Sequence, residues 1–442
     1  MKLPSNKAIW ALTYPIILSL FAENIINVTD TIFLARIGEA ELGASAIGGT
    51  FYVLIFIIGL GFSIGTQIII SRRLGENKDN EVGSIFEISV MFLMLVALLL
   101  FAAAQLFLSP LLRWMLSSGE IYAPTELYLK YRVWGIFFTY LGCVFRALYT
   151  GLFKTKFLLA NSLVLAIVNI VFAWLLIFGN FGFPRMGIEG AAIATVIAEF
   201  ASVLFYFVVT YKYIDLKKYQ LFRRKKYNFS EIRGILDVSG FIILQHVVSL
   251  ASWFVFFLVI EHRGAHQLAI TNIVRSIYLF LMIPGWAFSS ATSTMVSNII
   301  GKGDAGNVIP LIKKITLMCF LSILVLVIPA VIFRHQLFAL YTSDVHLVGE
   351  SMNSFYVVMV ALVVFSLTMN FFSGVIGTGS TKAGMVIELI GTAFYLLFVY
   401  FVILVMDMPL EIAWLTEIQY FVWLFIFSYF YLKKGSWKRK II

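Results

Sequence analysis

The sequence predicts an all-α membrane protein built from two copies of one six-helix unit. Hydrophobic residues occupy 61% of the 442 positions and charged residues only 13%. A soluble protein of this size could not bury so much apolar surface. Twelve apolar segments are long enough to cross a bilayer, and the second half of the chain repeats the first at a constant offset.

The apolar segments run from residues 8–34 to residues 411–432. A helix needs about 20 such residues to cross the hydrocarbon layer. Each segment should be helical, because lipid offers no partner for open backbone groups. We interpret the first segment as a span rather than a cleaved signal peptide, since it is long and contains Glu23 and Asp30. The fourth span is predicted over 124–149.

An internal repeat divides the chain. A shift of 226 positions aligns the halves at two distant patches: Gly38, Leu42 and Ile47 with Gly264, Leu268 and Ile273, and Gly151, Thr155 and Lys156 with Gly377, Thr381 and Lys382. One offset that holds over both patches indicates duplication. In membrane transporters, paired repeats commonly flank the substrate path.

Basic residues concentrate in alternate loops and so predict the orientation. One set of loops contains Arg72, Arg73, Lys154, Lys156, Lys302, Lys382 and the basic segment 212–234. The opposite loops are predicted to hold scattered basic residues: Arg36, Arg113, Lys130, Arg132, Arg185, Arg263 and Arg334. Positive loops favour the cytoplasmic side, so both termini are predicted to be cytoplasmic. The net charge of +10 therefore reflects topology rather than nucleic-acid binding.

The predicted division follows from this pattern. Residues 1–211 should form an N-terminal six-helix bundle and residues 235–442 a C-terminal six-helix bundle. The basic segment 212–234 would link them. We interpret it as a topology signal and hinge, with binding of anionic lipid as the alternative.

The first span has an acidic face. Glu23, Asn27 and Asp30 lie four and three residues apart, which puts them on one side of a helix. An acid inside a membrane span is a functional candidate by default. The equivalent positions of the second half are Ser249, Trp253 and Phe256. The duplicated fold does not need acids there, so we expect them to serve chemistry; a hydrogen-bonded packing patch is the alternative.

Several motifs together resemble the multidrug and toxic compound extrusion (MATE) transporters. They are residues 27–38, Gly151 with Lys154–Lys156, residues 169–179, residues 186–195 and residues 377–382. The resemblance covers essentially the whole chain and lies in their order, spacing and duplication. It implies twelve helices in two bundles around a V-shaped central cavity. It also implies export of cationic or amphipathic organic compounds by alternating access, coupled to influx of H⁺ or Na⁺.

The resemblance also implies a cation site. The family's carboxylate, asparagine and threonine fall on Asp30, Asn169 and Thr195, but the position of a common second aspartate is Ala173. We hypothesise that Glu199, one turn beyond Thr195, supplies the missing carboxylate; the alternative is an acid that is merely satisfied by neighbouring helices. Two carboxylates in a dry site cannot both ionise easily, so such a pair could bind and release a proton. Na⁺ at Asp30, Asn169 and Thr195 is the less favoured alternative.

The remaining candidates concern the substrate. Aromatic rings and acids should line the cavity, because rings bind organic cations and adapt to varied shapes. The candidates are Tyr131, Trp253, Phe256, Arg275, Trp286 and Glu417. Near the family's seventh-helix glutamate the chain has Gln245, His246 and Ser249. Arg146 is expected to snorkel and Glu388 to lie near the inner surface. The histidines show no paired metal-ligand spacing, so no metal other than Na⁺ is predicted.

The sequence therefore predicts a secondary active antiporter of the inner membrane. It should be a monomer that binds small organic cations or amphiphiles and the lipid bilayer, without a cofactor. The alternative is a flippase for a lipid-linked or anionic substrate of the same superfamily, which would favour extra spans or a cationic cavity. An enzyme is not predicted, because no His or Cys at membrane depth has an acidic partner in the pattern. The paired halves disfavour a passive channel.

Overall fold

The computed structural model describes residues 3–116, 118–223, 229–342 and 344–439. These residues form fifteen α-helices joined by short turns. The helices are α1 (Asn6–Ala35), α2 (Glu39–Gly75), α3 (Val82–Met115), α4 (Gly119–Arg132), α5 (Gly135–Gly151), α6 (Lys156–Phe178), α7 (Ile188–Tyr213), α8 (Leu216–Tyr219), α9 (Phe229–Glu261), α10 (Ala265–Gly301), α11 (Val308–Ile332), α12 (Arg334–Ala339), α13 (Val345–Gly377), α14 (Thr381–Val399) and α15 (Leu410–Lys434). The predicted all-α class is confirmed.

Among the described residues, eleven helices are long and apolar enough to cross a membrane. The bent pair α4 and α5 makes a twelfth candidate, with an angle of 52° between the two helices. The prediction of one continuous fourth span over 124–149 was wrong on this point. The break follows Arg132, and Gly135 begins the next helix. A Cβ atom added at Gly135 would collide with the side chains of Arg132 and Glu199, so the bend and the glycine together make room for that pair.

The chain divides into two compact units, Tyr14–Ser239 on one hand and Met1–Thr13 with Gly240–Ile442 on the other. We call them the N-terminal unit and the C-terminal unit. The sequence analysis placed all of residues 1–211 in one bundle, whereas the first residues fall with the C-terminal unit. Contacts explain the difference: the Trp10 ring packs edge-on against Phe288 at 5.5 Å, and Lys314 Nζ donates to the Pro4 carbonyl oxygen at 2.6 Å.

The internal repeat is visible in the packing of equivalent glycines. A Cβ atom added at Gly151 would lie 3.2 Å from the Gln67 carbonyl oxygen, and one at Gly377 would lie 2.6 Å from the Ser293 carbonyl oxygen. Gln67 and Ser293 are themselves equivalent under the 226-residue shift. In each unit a helix end therefore approaches the backbone of a neighbouring helix where only glycine fits. The duplication extends from sequence to helix contacts.

Candidate functional site

Asp30, Asn169 and Thr195 come together inside the N-terminal unit, from α1, α6 and α7. Asn169 Nδ2 donates to Thr195 Oγ1 at 3.2 Å. The Thr195 hydroxyl in turn donates to the Ala191 carbonyl oxygen at 3.0 Å. The Asp30 carboxyl group is a hydrogen-bonding neighbour of the Asn169 amide. The three residues that the resemblance grouped thus form one polar cluster, which we call the Asp30 site.

Two oxygen atoms of the Asp30 site have no hydrogen-bond donor. Asp30 Oδ1 and Asn169 Oδ1 are both buried and unpaired within the described part of the chain. A buried acceptor that lacks a donor costs about 1–3 kcal/mol. A proton or a small cation would satisfy such oxygens. The geometry is therefore that of a site prepared for a positive charge.

The position of the missing second aspartate is closed to a carboxylate. Ala173, one turn after Asn169 on α6, is fully buried. It packs in an apolar cluster with Leu34, Ala191 and Ala194. A carboxylate there would be desolvated by these neighbours without a donor in the cluster. Asp30 consequently serves this site without an acid at position 173.

Glu199 is bound to an arginine. Arg132 Nη1 lies 2.9 Å from Glu199 Oε2 and Arg132 Nη2 lies 2.6 Å from Glu199 Oε1. The two side chains are only 8% and 12% exposed. The guanidinium also stacks on the Tyr52 ring, with its central carbon 3.5 Å from the ring centroid. This bidentate, charge-assisted geometry is the strong form of the interaction.

The Arg132–Glu199 pair corrects two interpretations of the sequence. Arg132 was placed in an outer loop, but it is buried at the bend between α4 and α5. Glu199 was hypothesised to be a second protonatable carboxylate beside Asp30, but its charge is compensated by Arg132. Arg132 also lies close enough to interact electrostatically with Asp30. The surroundings of Asp30 therefore include a buried cation that the sequence analysis did not anticipate.

The acidic face of α1 separates into three environments. Glu23 forms an ion pair with Arg146 and accepts a hydrogen bond from the Ser162 hydroxyl at 3.3 Å. Arg146, which was expected to snorkel, is thus engaged within the unit. Asn27 is exposed. Of the three residues on the predicted face, the structure brings Asp30 alone to Asn169 and Thr195.

A second polar cluster lies in the C-terminal unit, around Glu388 of α14 and Glu417 of α15. The Tyr420 hydroxyl donates to Glu388 Oε1 at 2.6 Å. Glu417 accepts from the Tyr278 hydroxyl at 3.1 Å and from the Tyr395 hydroxyl at 3.3 Å. Ser249 is a further hydrogen-bonding neighbour of Glu388, as Trp253 is of Glu417. We call these residues the tyrosine–glutamate cluster.

Glu388 is buried more deeply than predicted. It was expected near the inner surface because Lys382 is six residues away, yet its side chain is 2% exposed. Glu417 was proposed to contact the substrate, whereas its carboxyl group is buried among tyrosine hydroxyls. The signal for Glu388 that the sequence contains is an acid inside an apolar segment; its donor, Tyr420, lies on another helix.

The predicted cavity residues divide between the two units, and several of them meet in the C-terminal unit. The rings of Trp253 and Phe256 both contact that of Phe257, at 5.2 Å and 5.7 Å between ring centroids. Tyr131 belongs to the N-terminal unit, whereas the remaining five candidates belong to the C-terminal unit. Phe256 is buried against Trp414, at 5.3 Å between ring centroids. The Arg275 guanidinium stacks on the Phe257 ring at 4.7 Å, and Trp286 is 37% exposed.

The spacing of the histidines in the sequence did not predict a cluster of two histidines and a glutamate on the surface. His266 at the start of α10 contacts Glu350 near the start of α13, and His346 Nδ1 lies 3.5 Å from Glu350 Oε1. Their potential ligand atoms all lie within 4.8 Å of one another. The two histidines are 80 positions apart, so only packing brings them together. All three side chains are exposed, and Glu350 already accepts the contacts of both histidines.

Comparison with known proteins identifies the family. The sequence model of the MatE family matches residues 15–175 and 242–401, one stretch in each half. A protein of Thermotoga maritima named "Probable multidrug resistance protein NorM" is 24% identical over 429 residues, which cover 94% of this chain and 89% of that protein. A protein of the same name from Agrobacterium fabrum is 25% identical over 311 residues, which cover 69% of this chain and 65% of the relative.

Solved structures show the same fold. A multidrug resistance MATE family transporter of the MOP superfamily in an outward-facing conformation matches with a TM-score of 0.89 at 18% identity, covering 98% of this chain and 97% of that chain. The Vibrio cholerae MATE transporter VcmN in its bent form matches with a TM-score of 0.82 at 18% identity, covering 98% of both chains. With both halves matched by the family model, this chain belongs to the MatE family, and it is a multi-pass membrane transporter rather than an enzyme.

Proposed function

We propose that this transporter exports cationic or amphipathic organic compounds in exchange for protons, with Asp30 as the coupling group. The observation that carries the proposal is the pair of unpaired buried oxygens, Asp30 Oδ1 and Asn169 Oδ1, in one polar cluster. A proton on Asp30 turns its carboxyl group into a donor. For coupling, proton binding must favour one conformational state over the other.

The ligands of the Asp30 site favour a proton over Na⁺. A proton neutralises Asp30 on its own oxygen and needs no additional volume. The absence of a carboxylate at Ala173 also removes a ligand that a metal ion would use. These features support proton coupling in the N-terminal unit.

The names of the relatives support the proposed substrate class. The proteins from Thermotoga maritima and Agrobacterium fabrum carry the name of a multidrug resistance protein, and we extend that activity to this chain. We further propose that the transporter acts as a monomer with both termini in the cytoplasm. The basic loops at Lys154 and Lys302 support that orientation.

The test is ethidium efflux from energised cells that express the wild type or Asp30→Asn. We expect wild-type efflux to persist in sodium-free buffer, to collapse after a protonophore is added, and to fall at least tenfold in Asp30→Asn. The control is Asp407→Asn, which removes a carboxylate that is 85% exposed and should leave efflux unchanged.

Each other outcome revises a defined part of the proposal. Efflux that requires added sodium would make Na⁺ the coupling ion. Full-rate efflux by Asp30→Asn would remove Asp30 from the mechanism. A wild type that moves no organic cation would favour the flippase.

A further inference from the structure

The tyrosine–glutamate cluster occupies the position that the Asp30 site occupies in the other unit. The 226-residue shift places Tyr395 on Asn169. The last helix of each half follows a different connection, since α15 begins 222 positions after α7. With the helix starts aligned, Glu417 falls on Thr195. The hydrogen bond between Asn169 and Thr195 in the N-terminal unit thus has a counterpart, the hydrogen bond from Tyr395 to Glu417.

The same correspondence relates the carboxylates, which have changed helices. The equivalent of Asp30 is Phe256, whose ring lies 6.3 Å from that of Tyr395. In the N-terminal unit α1 supplies the acid and α7 the hydroxyl group. In the C-terminal unit α9 supplies an apolar ring and α15 supplies the acid. A carboxyl group therefore occupies the equivalent place in both units, but a different helix carries it in each.

A second carboxyl group has also moved to a different helix between the two units. Glu23 on α1 accepts from Ser162 on α6. Their equivalents under the 226-residue shift are Ser249 on α9 and Glu388 on α14, which are again hydrogen-bonding neighbours. Two contacts between equivalent positions have thus kept a carboxyl group while swapping the helix that carries it. Both units retain an acid at each of the two places.

The units differ in their compensating cations. Arg132 and Arg146, which pair with Glu199 and Glu23, correspond to Val358 and Phe372, which are buried apolar side chains. The hydrogen-bonding neighbours of Glu388 and Glu417 in the described chain are neutral hydroxyl and indole groups. An isolated carboxylate in such surroundings is strongly disfavoured unless it is protonated or paired.

Within the described residues, two other titratable groups on the packed helices, His246 and Arg275, have contacts of their own. On α9, His246 Nδ1 is engaged with the Ile242 carbonyl oxygen at 2.8 Å. On α10, the Arg275 guanidinium stacks on Phe257. The remaining groups that face the two acids are the phenols Tyr278, Tyr395 and Tyr420, which can donate to a carboxylate or accept from a carboxylic acid.

We propose that Glu388 and Glu417 form a second proton-binding site, the C-terminal counterpart of the Asp30 site. Their side chains are 2% and 5% exposed, which leaves no surface for an organic cation but suffices for a proton. The rings of Tyr395 and Tyr420 meet edge-on at 5.7 Å and join the two carboxyl groups into one cluster. Each acid binds a proton in the buried position described here and exchanges it when the cluster gains access to water.

The idea that this proton is exchanged during transport rests on the proposed function. The binding itself can be measured without transport, by infrared spectroscopy of purified protein in lipid nanodiscs. A protonated carboxyl group has a C=O stretching band that an ionised carboxylate lacks. Spectra are compared for the wild type, Glu388→Gln, Glu417→Gln and Asp30→Asn between about pH 5 and pH 9. The matched control is Glu411→Gln, six residues before Glu417 on α15.

We expect each glutamine variant of the cluster to lose one protonated-carboxyl band that is retained in Asp30→Asn and in Glu411→Gln. Retention of all bands in both Glu388→Gln and Glu417→Gln would overturn the proposal. If those variants do not fold, Tyr395→Phe and Tyr420→Phe remove one hydrogen bond each. Each of these two phenylalanine variants should shift the frequency of a protonated-carboxyl band. An unshifted spectrum in both would overturn the proposal as well. Failure of the efflux test alone would leave the second site standing.

Discussion

At the residue scale, the hydrogen-bonding partner of each acid within the helices distinguishes a structural role from a chemical one. Glu23 and Glu199 face arginines, whereas Asp30, Glu388 and Glu417 are hydrogen-bonding neighbours of neutral groups. A buried ion pair has its charges compensated, and removing one partner leaves the other desolvated. An acid whose hydrogen-bonding partners are neutral can change protonation without breaking such a pair. The second group therefore holds the candidates for proton coupling.

The Arg132–Glu199 pair gives a prediction at this scale. Arg132→Met or Glu199→Gln alone should destabilise the protein by about 3–5 kcal/mol, because each leaves an unpaired buried charge or polar group. The double variant Arg132→Met with Glu199→Met should recover most of that loss. Thermal unfolding of the purified proteins measures both effects. Additive losses in the double variant would show that the two side chains do not act as a pair.

Part of the site was predictable from single residues. Asp30 could be identified because an acid within an apolar segment stands out, and the motif order linked it to Asn169 and Thr195. The partner of Glu199 could not be identified from the sequence, because Arg132 is 67 positions away. Arg132 lies where α4 ends, and the sequence predicted a loop residue there. Long-range pairing of this kind depends on helix packing, which hydropathy does not encode.

At the element scale, the bend between α4 and α5 sets the position of the buried arginine. Hydropathy predicted the span because the two helices together contain a stretch that is apolar enough to cross a membrane. It did not predict the 52° bend, since neither Val133 nor Trp134 is a helix breaker. The bend becomes understandable only with Glu199 of α7 in place, because the ion pair occupies the space beside Gly135.

Gly135 therefore provides an element-scale prediction. An alanine in a helix is normally favoured over glycine by about 0.5–1 kcal/mol. At Gly142 of α5, where an added Cβ atom meets nothing within 4 Å, the change to alanine should be neutral or raise the unfolding temperature. Gly135→Ala should instead lower it, because the Cβ atom collides with the Arg132–Glu199 pair. Equal unfolding temperatures for the two variants would contradict this packing.

At the scale of the whole molecule, duplication preserved places for acids while exchanging the helices that carry them. The 226-residue shift revealed the duplication, and it aligns Glu388 with Ser162. It could not reveal the relation of Glu417 to Thr195, because the connection before the last helix differs by four positions between the halves. A single offset aligns Glu417 with Ala191 instead. The first residues of α7 and α15 in the structure supply the alignment that the single offset misses.

The orientation in the membrane is the remaining whole-molecule prediction. If positive loops lie in the cytoplasm, Phe181 in the α6–α7 connection faces outward and Lys302 after α10 faces inward. Both side chains are exposed, and the native Cys143 and Cys319 are buried, so single introduced cysteines can be labelled selectively. In intact cells a membrane-impermeant maleimide should modify Phe181→Cys but spare Lys302→Cys. Permeabilised cells should show labelling of both, which controls for access. The reverse pattern in intact cells would place the termini outside and invert the direction of proton-driven exchange that we assign to Asp30.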